Sequence, residues 1–213
     1  MLNILARASV SRVTDPIGAW LVRSGLSPNA ITVIGTAGAV AGSLWLFPTG
    51  HLLAGAFVVW GFAMFDLLDG AMARARGGGT KFGTVLDATC DRIADGALYV
   101  GLTWYFFVEV GNLPLAGAAL VCLVLAQVIS YVKARAEATG LTADGGLVER
   151  AERLIITLAG AGLTGFGVPH AIDVALWLLV GLSAVTVVQR MIAVWRSAAA
   201  GSRVTEAGHE PTT

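Results

Sequence analysis

Six apolar stretches, at about residues 29–47, 52–74, 84–108, 113–138, 149–168 and 171–196, decide the solvent in which this chain can fold. Each has the roughly 20 residues that a helix needs to cross the ~30 Å hydrocarbon core of a bilayer. Inside lipid every backbone N–H and C=O must find its partner within the protein, which makes such runs helical. Glycine and proline punctuate the breaks: Pro48-Thr-Gly50, Gly77-Gly-Gly79, Gly111-Asn-Leu-Pro114, Gly140 to Gly146, and Gly165 to Pro169. Ser27 followed by Pro28 is a helix-start signal for the first span. Charged side chains make up 13% of the 213 residues, about half the roughly 25% of a soluble domain. The expected fold is all-α: an integral membrane protein with six transmembrane helices over residues 27–197. An amphipathic juxtamembrane segment over 1–26 precedes them, and a disordered cytoplasmic tail over 198–213 follows.

The ends of the chain support this division. Residues 1–26 contain Arg7, Arg12 and Arg23 and no uninterrupted apolar run, so they do not form a cleaved signal peptide. Leu2, Leu5, Ile17, Trp20 and Leu21 are candidate apolar contacts of a helix lying on the membrane surface. The tail is polar and rich in Ser, Thr and Gly. Cys90 and Cys122 lie in apolar segments without zinc-site spacing and read as small buried hydrophobes. Gly35, Gly38 and Gly42 in the first span, and Gly160, Gly162 and Gly165 in the fifth, suit close helix packing.

The formal net charge of zero conceals a one-sided distribution. Arg7, Arg12 and Arg23 precede the first span; Arg74, Arg76, Lys81 and Arg92 lie around the second-to-third link. Lys133, Arg135, Arg150 and Arg153 bracket the fourth-to-fifth link, and Arg190, Arg196 and Arg203 end the chain's positive charge. The loops near 48–51, 109–113 and 165–170 hold no lysine or arginine. By the positive-inside rule both termini face the cytoplasm, as do residues 76–81 and 140–147, while 109–113 face outward.

Ionisable groups in membrane helices are costly, so the acids require a reason. Asp66 and Asp69 share one helical face at the end of the second span, with Gly70, Ala73 and Arg74 following. Asp87, Asp91 and Asp95 recur every fourth residue at the start of the third. The short connection through Gly77-Gly-Gly79 predicts that the two helices are antiparallel neighbours, bringing four or five carboxylates together. That glycine run lacks the Gly-Lys-Ser/Thr of a phosphate-cradling loop. Carboxylates so crowded need cations. Pairing with Arg74 and Arg92 is one answer, a proton relay in a transporter is a second, and a divalent-metal site is the third. Oxygen ligands suit Mg²⁺ or Mn²⁺, two of which could polarise a pyrophosphate.

Asp66-x-x-Asp69-Gly70-x-x-Ala73-Arg74, eight residues, then Gly83-x-x-x-Asp87-x-x-x-Asp91 resembles the signature of the CDP-alcohol phosphatidyltransferase family at every fixed position. The likeness of architecture covers about residues 25–196, and is greatest to actinobacterial members that join CDP-diacylglycerol to inositol 1-phosphate. It implies a metal-dependent transferase of phospholipid synthesis in the cell's inner membrane, a homodimer, with its site facing the cytoplasm. Asp66, Asp69, Asp87 and Asp91 would bind Mg²⁺ or Mn²⁺, two ions by that likeness, and Asp91 would also be the catalytic base. Asn29, Thr32, Gly70, Ala73, Arg74 and Thr80 would meet CDP-diacylglycerol. Asp95 lies outside the signature and reads as a helix-packing hydrogen-bonding group.

A second polar cluster gathers at the same membrane face. Lys133, Arg153 and Arg190 approach it from three spans and are candidates for an acceptor phosphate, with Arg135 a weaker fourth that could instead pair with Glu137, Glu149 or Glu152. Arg190 sits six residues before Arg196, about 9 Å deeper along a helix, where membrane anchoring does not explain it. Arg196, Arg203 and Arg150 suit anchoring. Three cationic donors favour a phosphorylated acceptor over a neutral polyol. They do not separate inositol 1-phosphate from glycerol 3-phosphate, and a metal- or proton-coupled transporter is the rival from another class.

Overall fold

A computed structural model describes the backbone of residues 2–207 and the side chains of residues 12–199. Eight α-helices follow in order: α1 (Leu2–Arg23), α2 (Pro28–Leu46), α3 (Leu52–Ala63), α4 (Phe65–Ala75), α5 (Lys81–Trp104), α6 (Leu113–Ala138), α7 (Arg150–Gly165) and α8 (Ala171–Ala207). A π-helical turn, Tyr105–Glu109, extends α5. No strand occurs among the described residues.

The helix starts follow the sequence signals. Ser27 caps α2, its hydroxyl accepting from Ala30 N at 3.1 Å, with Pro28 in the first turn. Asn112 caps α6 in the same way through Leu115 N at 3.2 Å. Gly77 and Gly78, at φ 89° and 134°, turn the chain between α4 and α5 through backbone that only glycine adopts without strain. One break had no such signal: a turn at Met64 separates α3 from α4 within a single apolar run.

Four helical segments are long and apolar enough to cross a bilayer: Pro28–Leu46, Leu52–Ala75, Leu113–Ala138 and Ala171–Ala199. The other two expected spans fall on α5 and α7. α5 carries charges of the site in its opening turns, which dilutes its apolar character, and α7, also charged at its start, is only 16 residues long. Large apolar side chains ring the outside, among them Trp45, Phe57, Trp104, Phe107, Trp177 and Trp195, each more than half exposed. So extensive an apolar exterior belongs in lipid, and the chain is a membrane protein.

Small residues let the helices approach. A Cβ on Gly35 would lie 2.6 Å from Phe65 Cβ, one on Gly42 2.8 Å from Val58, and one on Gly165 2.6 Å from Leu53 N. Gly38 and Gly160 are equally closed, whereas Gly162 has room. Phe47, Tyr99, Leu102, Leu176 and Leu179 fill the core between these contacts, and both cysteines are free and buried.

Two expectations become more specific. α4 and α5 meet at their carboxylates, and α2 packs against both of them. At the C-terminus, α8 extends to Ala207, past the boundary expected at residue 197, and residues 208–213 lie outside the described residues. In α1, Ile17 and Trp20 are exposed beside Val13, and Leu21 is half-buried; the side chains of Leu2 and Leu5 lie outside the described residues.

Candidate active site

The acids of α4 and α5 converge as the signature spacing requires. One carboxylate oxygen from each of Asp66, Asp69 and Asp87 lies within 4.8 Å of the other two. Asp69 is buried, and Thr32 of α2 donates a hydrogen bond to its Oδ2. Asp87 Oδ1 is buried without a hydrogen-bond partner. An orphaned carboxylate oxygen facing two other carboxylates is what a hard divalent cation would satisfy, so these residues fit the metal the sequence suggests.

Asp91 stands apart from that trio. Its Oδ1 takes Arg150 Nη2 at 2.9 Å, and its Oδ2 is 3.9 Å from Arg92 Nη2. Asp95, one turn further on, is buried among three guanidinium groups: Arg92 at 3.3 Å, Arg150 at 3.3 Å and Arg153 at 3.8 Å. It ties α5 to α7 by ion pairs, a stronger packing role than the hydrogen bond expected from sequence. Three arginines do not offset Asp66, Asp69, Asp87, Asp91 and Asp95, so the cluster keeps an excess of negative charge.

Two cavities meet at these acids. One, of about 390 Å³, is lined by Asn29, Thr32, Gly70, Ala73 and Thr80 together with Asp69 and Asp87. Five of the six residues that the resemblance placed at CDP-diacylglycerol therefore share one cavity. The sixth, Arg74, does not line it and pairs with Asp15 of α1 at 2.7 Å. Arg76 takes its place on the wall, held by Leu26 O at 2.8 Å. Thr80 also has a structural task, since its hydroxyl caps α5 by accepting from Gly83 N at 2.9 Å. A Cβ on Gly83 would press within 3.1 Å of Thr80 Oγ1 and 3.2 Å of Asn29 Oδ1, so glycine keeps that wall open.

The second cavity, of about 670 Å³, is lined by Lys133, Arg153 and Arg190 together with Asp91, Arg92 and Arg150. Arg153 is 3% exposed, and its Nη1 has no hydrogen-bond partner. Arg190 is held deep by backbone, donating to Gly145 O at 3.1 Å and Ile129 O at 2.8 Å. Lys133 is half-exposed, 4.0 Å from Glu137. Arg135 is exposed at the end of α6 and does not line the cavity.

Sequence reasoning missed Arg150, read as a membrane anchor. It lines both the cleft beside the trio and the larger cavity. The local signal reached only as far as a capping box, Glu149 with Glu152, which fixes the start of α7 and with it Arg150; the partners of Arg150 come from distant α4 and α5.

A family profile described as CDP-alcohol phosphatidyltransferase matches residues 25–189. A phosphatidylinositol phosphate synthase of Mycobacterium tuberculosis is 55% identical over 206 residues, covering 95% of this chain and 95% of that protein. The crystal structure of the M. tuberculosis phosphatidylinositol phosphate synthase with CDP-DAG bound superposes with a TM-score of 0.85 at 57% identity, covering 87% of this chain and 95% of that one. The structure of that synthase in complex with manganese and citrate gives a TM-score of 0.84 at 57% identity, covering 87% and 90%.

Proposed function

The chain belongs to the CDP-alcohol phosphatidyltransferase family, and we propose that it transfers the phosphatidyl group of CDP-diacylglycerol to inositol 1-phosphate, giving phosphatidylinositol phosphate and CMP. One observation carries this reading: a carboxylate cluster stands between a cavity lined by signature residues and a second cavity lined by Lys133, Arg153 and Arg190. Two substrates that react with each other need adjoining cavities with the chemistry at their junction.

Each side chain has a task in the displacement. Asn29, Thr32, Gly70, Ala73 and Thr80 would hold the nucleotide end. Asp66, Asp69 and Asp87, with Asp91 beside them, would hold Mg²⁺ or Mn²⁺ in one or two sites. The bound metal would supply charge neutralisation for the pyrophosphate and its leaving group. Lys133, Arg153 and Arg190 would hold the acceptor's phosphate by charge-assisted hydrogen bonds. Asp91, on the acceptor side, would take the proton from the attacking hydroxyl. A P–O bond then forms from that oxygen to the phosphatidyl phosphorus, and the P–O bond to CMP breaks, CMP leaving with the electron pair. The choice of inositol 1-phosphate over glycerol 3-phosphate rests on the likeness to the M. tuberculosis synthase.

The setting belongs to the same proposal. α5 and α7 would complete six spans, α1 would lie on the cytoplasmic surface, and the site and both termini would face the cytoplasm of a cell's inner membrane. The positive charges around residues 76–81 and 150–153 support that orientation. A cysteine placed at residue 112, in a protein lacking Cys90 and Cys122, should be labelled from outside intact cells. Labelling only after permeabilisation would invert the topology. The assembly would be a homodimer, which cross-linking in membranes tests. The reaction itself is tested by supplying purified protein with CDP-diacylglycerol, Mg²⁺ and inositol 1-phosphate, and scoring CMP and lipid product.

A further inference from the structure

Arg150 sits where the two halves of the site join. As the first residue of α7, it is placed by the Glu149–Glu152 capping box. Its guanidinium reaches across to two other helices. Nη2 lies 2.9 Å from Asp91 Oδ1, Nε 3.3 Å from Asp95 Oδ1, and Nη1 3.9 Å from Asp66 Oδ2. Its side chain is 24% exposed, and it lines both the cleft of the trio and the acceptor-side cavity.

We propose that Arg150 is a positioning residue that holds the Asp91 carboxylate on the acceptor side of the cluster, available to the attacking hydroxyl. The proposal rests on the reading of Asp91 as the proton acceptor. Asp91 and Asp87 are one turn apart on α5 and share a face, so without Arg150 both oxygens of Asp91 could rotate toward the metal held by the trio, leaving none for the attacking hydroxyl. Arg150 opposes that rotation with its shortest contact. Asp95, 6% exposed and held also by Arg92 and Arg153, fixes the other edge of the guanidinium. The planar fork of arginine can set the direction of a carboxylate, whereas a lysine ammonium supplies charge without direction. A reacting group displaced by about 1 Å can cost ~10²-fold in rate, so direction matters here.

The test compares Arg150→Gln, Arg150→Lys, Asp91→Asn and the double variant Arg150→Gln/Asp91→Asn in the purified full chain. Arg150→Gln should lower kcat by about 10- to 100-fold, the usual cost of losing a group that orients another, while both KM values stay within about threefold. Arg150→Lys should recover only part of that loss. The double variant should be no slower than Asp91→Asn, because both changes remove one function. Mn²⁺ binding without substrates, read by electron paramagnetic resonance, should be as tight in Arg150→Gln or tighter, since a cation beside Asp66 and Asp91 has gone. A merely structural role would weaken metal binding with kcat and make the losses additive, and either result overturns the proposal. So does an effect on acceptor KM alone, which would make Arg150 a direct ligand. If Arg150→Gln does not fold, Arg150→Lys decides: kcat at the wild-type level removes the argument from direction. Full activity in Asp91→Asn sinks the reading of Asp91 itself. An inactive Asp91→Asn beside a fully active Arg150→Gln sinks only the role of Arg150.

Discussion

Arg74 Nη2 lies 2.7 Å from Asp15 Oδ1, so the last fixed residue of the first signature half fastens α4 to α1. α1 packs along α4 closely enough that a Cβ on Gly18 would lie 2.8 Å from Ala71 Cβ. The two partners are 58% and 50% exposed, so the pair contributes no more than about 1 kcal/mol to stability. Its importance is positional. Asp15→Asn and Arg74→Gln should alter the KM for CDP-diacylglycerol by the same factor, and the double variant should add nothing. A rise confined to Arg74→Gln would place its guanidinium on the nucleotide's phosphates, as the family resemblance implied.

Metal removal tests the trio. Asp66, Asp69 and Asp87 bring their oxygens within 4.8 Å of one another, and Asp87 Oδ1 has no protein partner. Activity should vanish in EDTA and return with Mg²⁺ or Mn²⁺. Full turnover in chelator contradicts the assignment of all four signature aspartates.

Arg153 gives the sharpest reading of the acceptor cavity. Its buried Nη1 lacks a partner, whereas Arg190 is already engaged by Gly145 O and Ile129 O. A charge-assisted hydrogen bond is worth about 1.5–3 kcal/mol, so Arg153→Ala should raise the acceptor KM by roughly 10- to 100-fold. The KM for CDP-diacylglycerol should hardly move. Arg190→Ala should in addition loosen the segment around Gly145, detectable as faster proteolysis between α6 and α7. Equal effects of Arg153→Ala on both substrates would show that the cavity does not separate them.

Helix packing can be tested away from the chemistry. A Cβ on Gly101 of α5 would collide with Ser43 O of α2, a backbone atom that cannot step aside. Gly101→Ala should therefore lower stability by about 1–3 kcal/mol, seen as a lower Tm in detergent. Gly117 has nothing within 4 Å of such a Cβ, so Gly117→Ala is the matched control. Equal Tm values for the two variants contradict the packing of α2 on α5.

The sequence was most legible where a signal is local. Ser27-Pro28 does start and cap α2, and the i, i+3 and i, i+4 spacings do bring Asp66, Asp69 and Asp87 together. What escaped it depends on contacts between distant segments. Asp15 meets Arg74 from 59 residues away, and Arg150 reaches Asp95 from 55 residues away. Charge counting alone read Arg150 as an anchor, because the positive-inside rule treats every arginine at a helix end alike. Met64 shows the same limit in the backbone. It interrupts the helix two residues before Asp66 without glycine or proline to announce it.

The central claim is that CDP-diacylglycerol and a phosphorylated alcohol react across the junction of the two cavities. Purified wild-type protein should be given CDP-diacylglycerol and Mg²⁺ with inositol 1-phosphate, free inositol or glycerol 3-phosphate, and CMP release measured alongside the lipid formed. The account predicts CMP and phosphatidylinositol phosphate in equal amounts with inositol 1-phosphate, and neither with free inositol. Equal use of free and phosphorylated inositol would contradict the phosphate cavity, and turnover with glycerol 3-phosphate alone would contradict the proposed product.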